Sequence, residues 1–210
     1  NYYVTKDGAG DKTGVTWSDA MPFSDMIDML GKAKSDNNTL TAINGAVFNI
    51  AEGKYVLDDL FAFEYKSEDP IKFTFKGVKG KTSISGNNKC TIFDIYGNEN
   101  GKGSIEIIFE GLGFVESKDA QYPAFYCQHS NSTTKFINCF ISDNVNDGAA
   151  GKGAGIAVMN GANLILENTV FERNEGNKGA AVFVSGDVEI AGCTFANNIA
   201  NYGGAIYLDI

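Results

Sequence analysis

Arginine is almost missing from this chain. Arg173 is the one guanidinium in 210 residues, so clustered bidentate recognition of phosphate or carboxylate has nothing to be built from. Proline is also scarce, at 3 residues, while hydrophobic residues make up 43%; a chain so composed buries a core and is not disordered. Long apolar runs are absent too. None reaches the roughly 18 to 20 residues that a helix needs to cross a bilayer, and no membrane insertion is expected of this stretch. Basic charge is in deficit, with 17 Lys and Arg against 26 Asp and Glu and a net charge of -9. Such a surface repels nucleic-acid phosphates and anionic headgroups, which removes nucleic acid from the expected partners. The four cysteines, Cys90, Cys127, Cys139 and Cys193, lack CxxC spacing for zinc and are too sparse for a disulfide scaffold, so buried thiols are expected. The chain opens on Asn1 and a strand-like Tyr2, Tyr3, Val4 with no Met or signal peptide, and reads as a mature or excised piece, part of a longer chain.

Glycine, by contrast, is abundant. Its 25 residues follow no three-residue period, which excludes collagen and points to strands joined by many tight turns. One phrase is written three times, as NCFISDN at 138–144, NTVFERN at 168–174 and GCTFANN at 192–198. A second phrase keeps step with it, as GAGIAV at 153–158, GAAVFV at 179–184 and GGAIYL at 203–208. An alternating apolar strand precedes the first phrase each time, at 135–137, 164–166 and 188–190. Each unit therefore holds about three short strands, and 105–117, with Phe114 at the place of Ile141, looks like a degraded copy.

Strands this short bury no face alone, but coils stacked in register form parallel sheets around a common core. The expected fold is all-β, a right-handed parallel β-helix. Ile141, Phe171 and Phe195 align as one interior ladder, with Cys139, Thr169 and Cys193 two residues earlier. Asn144, Asn174 and Asn198 align where the chain turns; asparagine tolerates left-handed backbone and its amide can bond along a stack, so an internal asparagine ladder is expected there. A sandwich or barrel has no reason to repeat near-identical phrases in register, and a propeller needs blades of about 40 residues or more.

The front of the chain is less regular. Met21 to Lys34 reads as an amphipathic helix, with Pro22 in its first turn and Phe23, Met26, Ile27, Leu30 and Ala33 at helical spacing. The expected division is a cap over 1–45 that covers the open end of the solenoid, and a β-helix over 46–210, cut off at its C-terminal end. Further strands are expected at 46–56, 61–75 and 83–96.

These features carry a resemblance. Tyr3-Val4, Asp7-Gly8, the TWSDA at 16–20, the helix and the AEGKY at 51–55 are similar to the opening of pectate-lyase-like right-handed β-helices. The Phe-x-x-Asn and GGAIY units resemble the repeats of polymorphic outer-membrane proteins and of adhesin-like surface proteins of bacteria and methanogenic archaea. The resemblance implies a cell-surface or secreted protein that attaches to a glycan or protein of another cell. The fold also hosts polysaccharide lyases and glycoside hydrolases, so enzyme activity is the alternative.

No catalytic constellation supports that alternative at the level of sequence. Asp143, Asp147, Glu172, Glu175 and Asp187 are scattered over turns rather than paired as glycoside hydrolysis requires. Arg173 lies between Glu172 and Asn174, where a solvated side chain or an ion pair capping the stack is favoured over a lyase base. Cys127 and His129 are two apart but lack an orienting acid, so His129 is read as structural. No cofactor is expected. Calcium is the one ion that the oxygen-rich turns 142–148 and 7–11 suggest, but their spacing fits Asx turns better than a calcium loop. Asn37 and Asn131 begin N-x-Ser/Thr triplets and are the possible glycosylation positions.

Overall fold

In a computed structural model of the chain, the structure describes every residue except 66–67, 98–102, 120, 150 and 210. Every strand pairing is parallel, and strands recur in the same cyclic order along the chain. The first sheet stacks Tyr2–Thr5, Val47–Ile50, Ile71–Lys76, Ile105–Glu110, Ser132–Ile137, Asn163–Glu167 and Val188–Ala191, with the short Met21–Pro22 at its edge. The second stacks Gly53–Val56, Thr82–Ser85, Leu112–Val115, Phe140–Ser142, Val170–Glu172 and Thr194–Ala196. The third stacks Phe61–Tyr65, Phe93–Gly97, Phe125–Cys127, Ile156–Val158, Val182–Val184 and Ile206–Leu208. Parallel strands in this order make a parallel β-helix. The degraded copy is in register, Phe114 opposite Ile141, and coils continue ahead of it to Val47.

A fourth sheet was not anticipated. Lys118–Asp119, Val145–Asn146, Glu175–Lys178 and Ile199–Tyr202 form it between the second and third sheets, so the later coils carry four strands. The expected strand regions 61–75 and 83–96 each divide between two sheets, because a chain that circles a core must bend every few residues.

Side chains on one face of each strand fill the interior. In the first sheet Phe48, Phe75, Phe109 and Phe136 occupy one register position, and all four are buried. Tyr2 stacks on Phe48 at 5.2 Å, and the next three steps are 5.2, 5.3 and 5.0 Å. These steps follow the spacing of neighbouring strands, which lets near-parallel rings stack offset. Leu166 and Ile190 continue the position in the last two coils.

Residues 1–45 contribute the strand Tyr2–Thr5 to the first sheet, paired with Val47–Ile50, as well as two helices. Helix α1 spans Phe23–Ala33, two residues later than the sequence suggests, because Met21 and Pro22 are extended and pair with Val4 and Thr5. Phe23, Met26, Leu30 and Ala33 are buried on one stripe and join the solenoid's apolar core. Helix α2, Asn37–Ile43, follows, its first turn closed by Asp36, whose carboxylate accepts from the amides of Asn38 and Thr39.

Candidate binding groove beside the asparagine ladder

The turn from the second sheet to the fourth is built the same way in successive coils. Asp143, Arg173 and Asn197 take left-handed backbone, with φ of 59°, 54° and 54°. The left-handed residue is thus the one before the aligned asparagine, a correction to the expectation that Asn144, Asn174 and Asn198 take that conformation. The reversal turns the next side chain inward. Asn144 Nδ2 donates to Asn174 Oδ1 at 2.9 Å and to the Phe114 carbonyl at 3.0 Å. Asn174 Nδ2 donates to Asn198 Oδ1 and to the Ile141 carbonyl, both at 2.9 Å, and Asn198 Nδ2 reaches the Phe171 carbonyl at 3.0 Å. Asn144 and Asn174 are fully buried, and this pattern meets the demand of a buried amide for partners on both sides. Beside them Ile141 pairs with Phe171 and Phe171 with Phe195, the last two rings stacked at 5.0 Å. Cys139 and Thr169 are buried and Cys193 is partly exposed.

Once past the ladder, the chain enters the fourth sheet and presents a second pair of asparagines outward. Asn201 Nδ2 donates to Asn177 Oδ1 at 2.9 Å, and Asn177 Nδ2 donates to the Ala149 carbonyl. These residues line an open groove of about 770 Å³ together with Lys178, Tyr202 and Tyr207. A smaller hollow of about 200 Å³ adjoins it, where Asn146, Asp147 and Glu175 are added to the lining. At one side Phe183 and Tyr207 stack at 5.5 Å. Lys152 Nζ stands 5.6 Å from the Phe183 centroid and Lys178 Nζ 5.1 Å from that of Tyr207, within range of cation–π attraction. Tyr202 is 58% exposed. Gly179, at the base of this wall, has φ of 58°, and a Cβ there would lie 2.3 Å from the Val182 carbonyl oxygen. Only glycine allows that close approach. Amides, carboxylates and ammonium groups offer donors and acceptors to hydroxyls, and the exposed ring offers an apolar face.

The sequence-derived chemical candidates are largely occupied with each other. Arg173 holds Asp143 by a two-pronged ion pair, Nε to Oδ1 at 2.7 Å and a terminal nitrogen to Oδ2 at 2.9 Å, and also pairs with Glu172. Its hydrogen bond holds the Asp143 carboxyl below its ordinary range. Within the calcium-like turn, Asp143 is thus taken by Arg173, Asn144 faces inward, Asn146 Nδ2 donates to the Gly153 carbonyl and Asp147 pairs with Lys118. Among the described residues no three of His, Cys, Asp and Glu come together as a metal site. In the 7–11 loop the Asp11 amide donates to the Asp19 carboxylate. Cys127 is fully buried, its thiol 3.0 Å from the Ser132 hydroxyl, and burial pushes the thiol up, the wrong direction for a nucleophile. Buried His129 accepts from the Asn131 amide at Nδ1, 3.1 Å away. Glu175 and Asp187 are exposed, as are Asn37, at the start of α2, and Asn131, at the turn before Ser132–Ile137.

Two features escaped the sequence. The outward Asn177 and Asn201 differ in no local signal from the many other asparagines, although their separation equals the last repeat interval. Asp94 is the second. It lies between buried Phe93 and Ile95 on the outer face of the third sheet, only 8% exposed, in register with Ala62 before and Tyr126 after. Burial pushes its carboxyl up to about 6, opposed by a hydrogen bond with Gln128, while Oδ1 has no hydrogen-bond partner among the described residues. Glu64 shares that face, two positions along the neighbouring strand, a diagonal of about 7 to 8 Å.

The recurrence of the coils has a counterpart among known families. Residues 75–209 match the family model described as "Right handed beta helix region". No curated protein and no solved structure matches the chain significantly. A match over well over half the chain, on a stack of wholly parallel coils, means that this protein belongs to the right-handed β-helix family.

Proposed function

We propose that this protein is a noncatalytic attachment module, displayed at the cell surface or secreted, that holds a glycan of another cell in the groove beside the fourth sheet. The observation that carries the reading is the groove's composition. Asn177, Asn201 and Lys178 present hydrogen-bonding groups next to Tyr202 and Tyr207, the pairing of polar forks with an aromatic face that suits a sugar's hydroxyl edge and its C–H face. A rigid stack supplies a surface that loses little entropy on binding. The resemblance to adhesin-like repeats agrees with this role.

A second reading, hydrolysis of a polysaccharide, is favoured by Asp94. A carboxyl that keeps its proton to about pH 6 suits a general acid, and Glu64 on the same face lies at a distance compatible with an inverting pair. One experiment separates the two. The protein is applied to a panel of glycans and intact cells, with release of reducing or unsaturated sugar followed in the same wells. Saturable binding without product is expected, weakened roughly tenfold in Tyr202→Ala/Asn201→Ala, the loss of one ring contact and one amide. Product that disappears in Asp94→Asn would replace attachment with hydrolysis.

A further inference from the structure

At the other end of the molecule, helix α1 and the turn after Gly53–Val56 face each other across a cleft of about 510 Å³, well within the size range of small-ligand sites. Its walls are apolar. Phe23 and Ile27 come from the helix, Tyr55 and Phe61 from the two strands that flank the facing turn, and Leu57 from the turn itself; Phe23, Tyr55, Leu57 and Phe61 are buried, while Ile27 is only partly covered. The Phe23 and Tyr55 rings meet at 4.9 Å, and the Tyr55 hydroxyl is turned away to donate to the Ala51 carbonyl. That hydroxyl is therefore committed elsewhere.

The rim has the opposite character. Asp28, Asp58 and Asp59 stand on it, with Lys6 as the one ammonium among the described residues that line the cleft, and all four are exposed. Lys32 and Lys34 line an adjoining shallow hollow that shares Ile27, Asp28, Leu60 and Phe61 with the cleft but are not among the cleft's own lining residues. The carboxylates make their presence felt beneath the cleft. The Cys90 thiol, which donates to the Leu57 carbonyl, is pushed up by burial first and then by the charges of Asp59, Asp119 and Asp58. Excess negative charge over an apolar floor attracts a cation whose body is itself apolar.

We propose that this cleft is a binding site for an arylalkyl amine, a ligand with an aromatic body that enters between Phe23, Ile27 and Phe61 and an ammonium that remains at the rim beside Asp58 and Asp59. The site is separate from the groove of the fourth sheet and does not depend on its reading. Its two halves divide the work: the floor selects for the ring by removing it from water, and the rim selects for charge.

The test is titration of the full chain with 4-phenylbutylamine, 4-phenylbutanol and 4-phenylbutanoate, followed by amide and methyl NMR shifts. Saturable shifts centred on Ile27, Leu57 and Leu60 are expected for the amine, with the alcohol weaker by roughly tenfold, the order expected for two or three partly exposed charge contacts, and the carboxylate weaker still. The Asp58→Asn/Asp59→Asn variant would bring the amine down to the affinity of the alcohol. Because that variant can alter the turn, the same titrations of the unmodified chain at low and high salt give an independent readout: binding of the amine weakens with salt and that of the alcohol does not. Equal affinity for all three probes, shifts centred elsewhere, absence of saturation, or an amine affinity unchanged by salt would overturn the proposal.

Discussion

In the front coils of the stack, the ladder through the first sheet is made of rings, Tyr2, Phe48, Phe75, Phe109 and Phe136. In the last two it is made of Leu166 and Ile190, and the side chains that tie one coil to the next are amides, Asn144, Asn174 and Asn198. The change occurs within a single coil, which holds both Phe136 and Asn144. The two devices solve the same problem with different tolerance. A ring needs only a large apolar neighbour and some freedom to shift, so the spacing between partners ranges from 46 residues, Tyr2 to Phe48, to 27, Phe109 to Phe136. An amide ladder needs donors and acceptors in line at both faces, and therefore the same turn, entered by the same left-handed residue, in each coil.

The sharpest way to separate the two devices is to delete one member of each. Phe109 is fully buried and its ring meets those of Phe75, Phe93, Phe114, Phe125 and Phe136. Phe109→Ala is expected to cost about 3 to 5 kcal/mol, measured by urea unfolding. In Asn174→Ala, Asn144 Nδ2 loses one acceptor while the Asn198 and Ile141 oxygens lose donors. About 3 kcal/mol is expected from these orphaned buried groups, and clearly less from Asn198→Ala, whose side chain is only partly buried. Equal losses at the two asparagines would mean that the ladder has no cooperative interior.

The smallest effect concerns a buried polar group outside the ladder. Asp94 has its carboxyl pushed up to about 6 from 3.8. Below about pH 4 both folded and unfolded chains hold this proton; between there and 6 only the folded chain does, so its contribution to stability falls as pH rises and the deficit is complete above 6. Asp94→Asn is therefore expected to gain about 2 kcal/mol over the parent chain at pH 7, the roughly 3 kcal/mol of that shift discounted for the carboxyl's position at the sheet surface, and nothing at pH 3. Parallel pH profiles for the two proteins would show that the carboxyl is better solvated than its position implies.

This contrast also explains what could be read in the residues alone. The fold and the repeated turns announce themselves because hydrogen-bond geometry restricts which residues serve at each place, and Ile141, Phe171 and Phe195 are marked by standing three residues before each aligned asparagine. The backbone twist before Asn144 was assigned one residue late, since Asp143, Arg173 and Asn197 share no side-chain chemistry that marks it. The ladder of rings left no periodic trace, because apolar packing accepts variable loops and many side chains. The groove and Asp94 were hidden for a related reason: they join residues 24 to 32 positions apart whose neighbourhood exists only after stacking.

The amide ladder has one more consequence. Asn144, Asn174 and Asn198 are linked head to tail, each Nδ2 directed at the next Oδ1, so their bond dipoles point the same way along the axis. Aligned dipoles polarise one another. The series therefore has a direction, with Asn144 Oδ1 accepting from the Ser117 amide at one end and Asn198 at the other, and its two ends are electrostatically inequivalent.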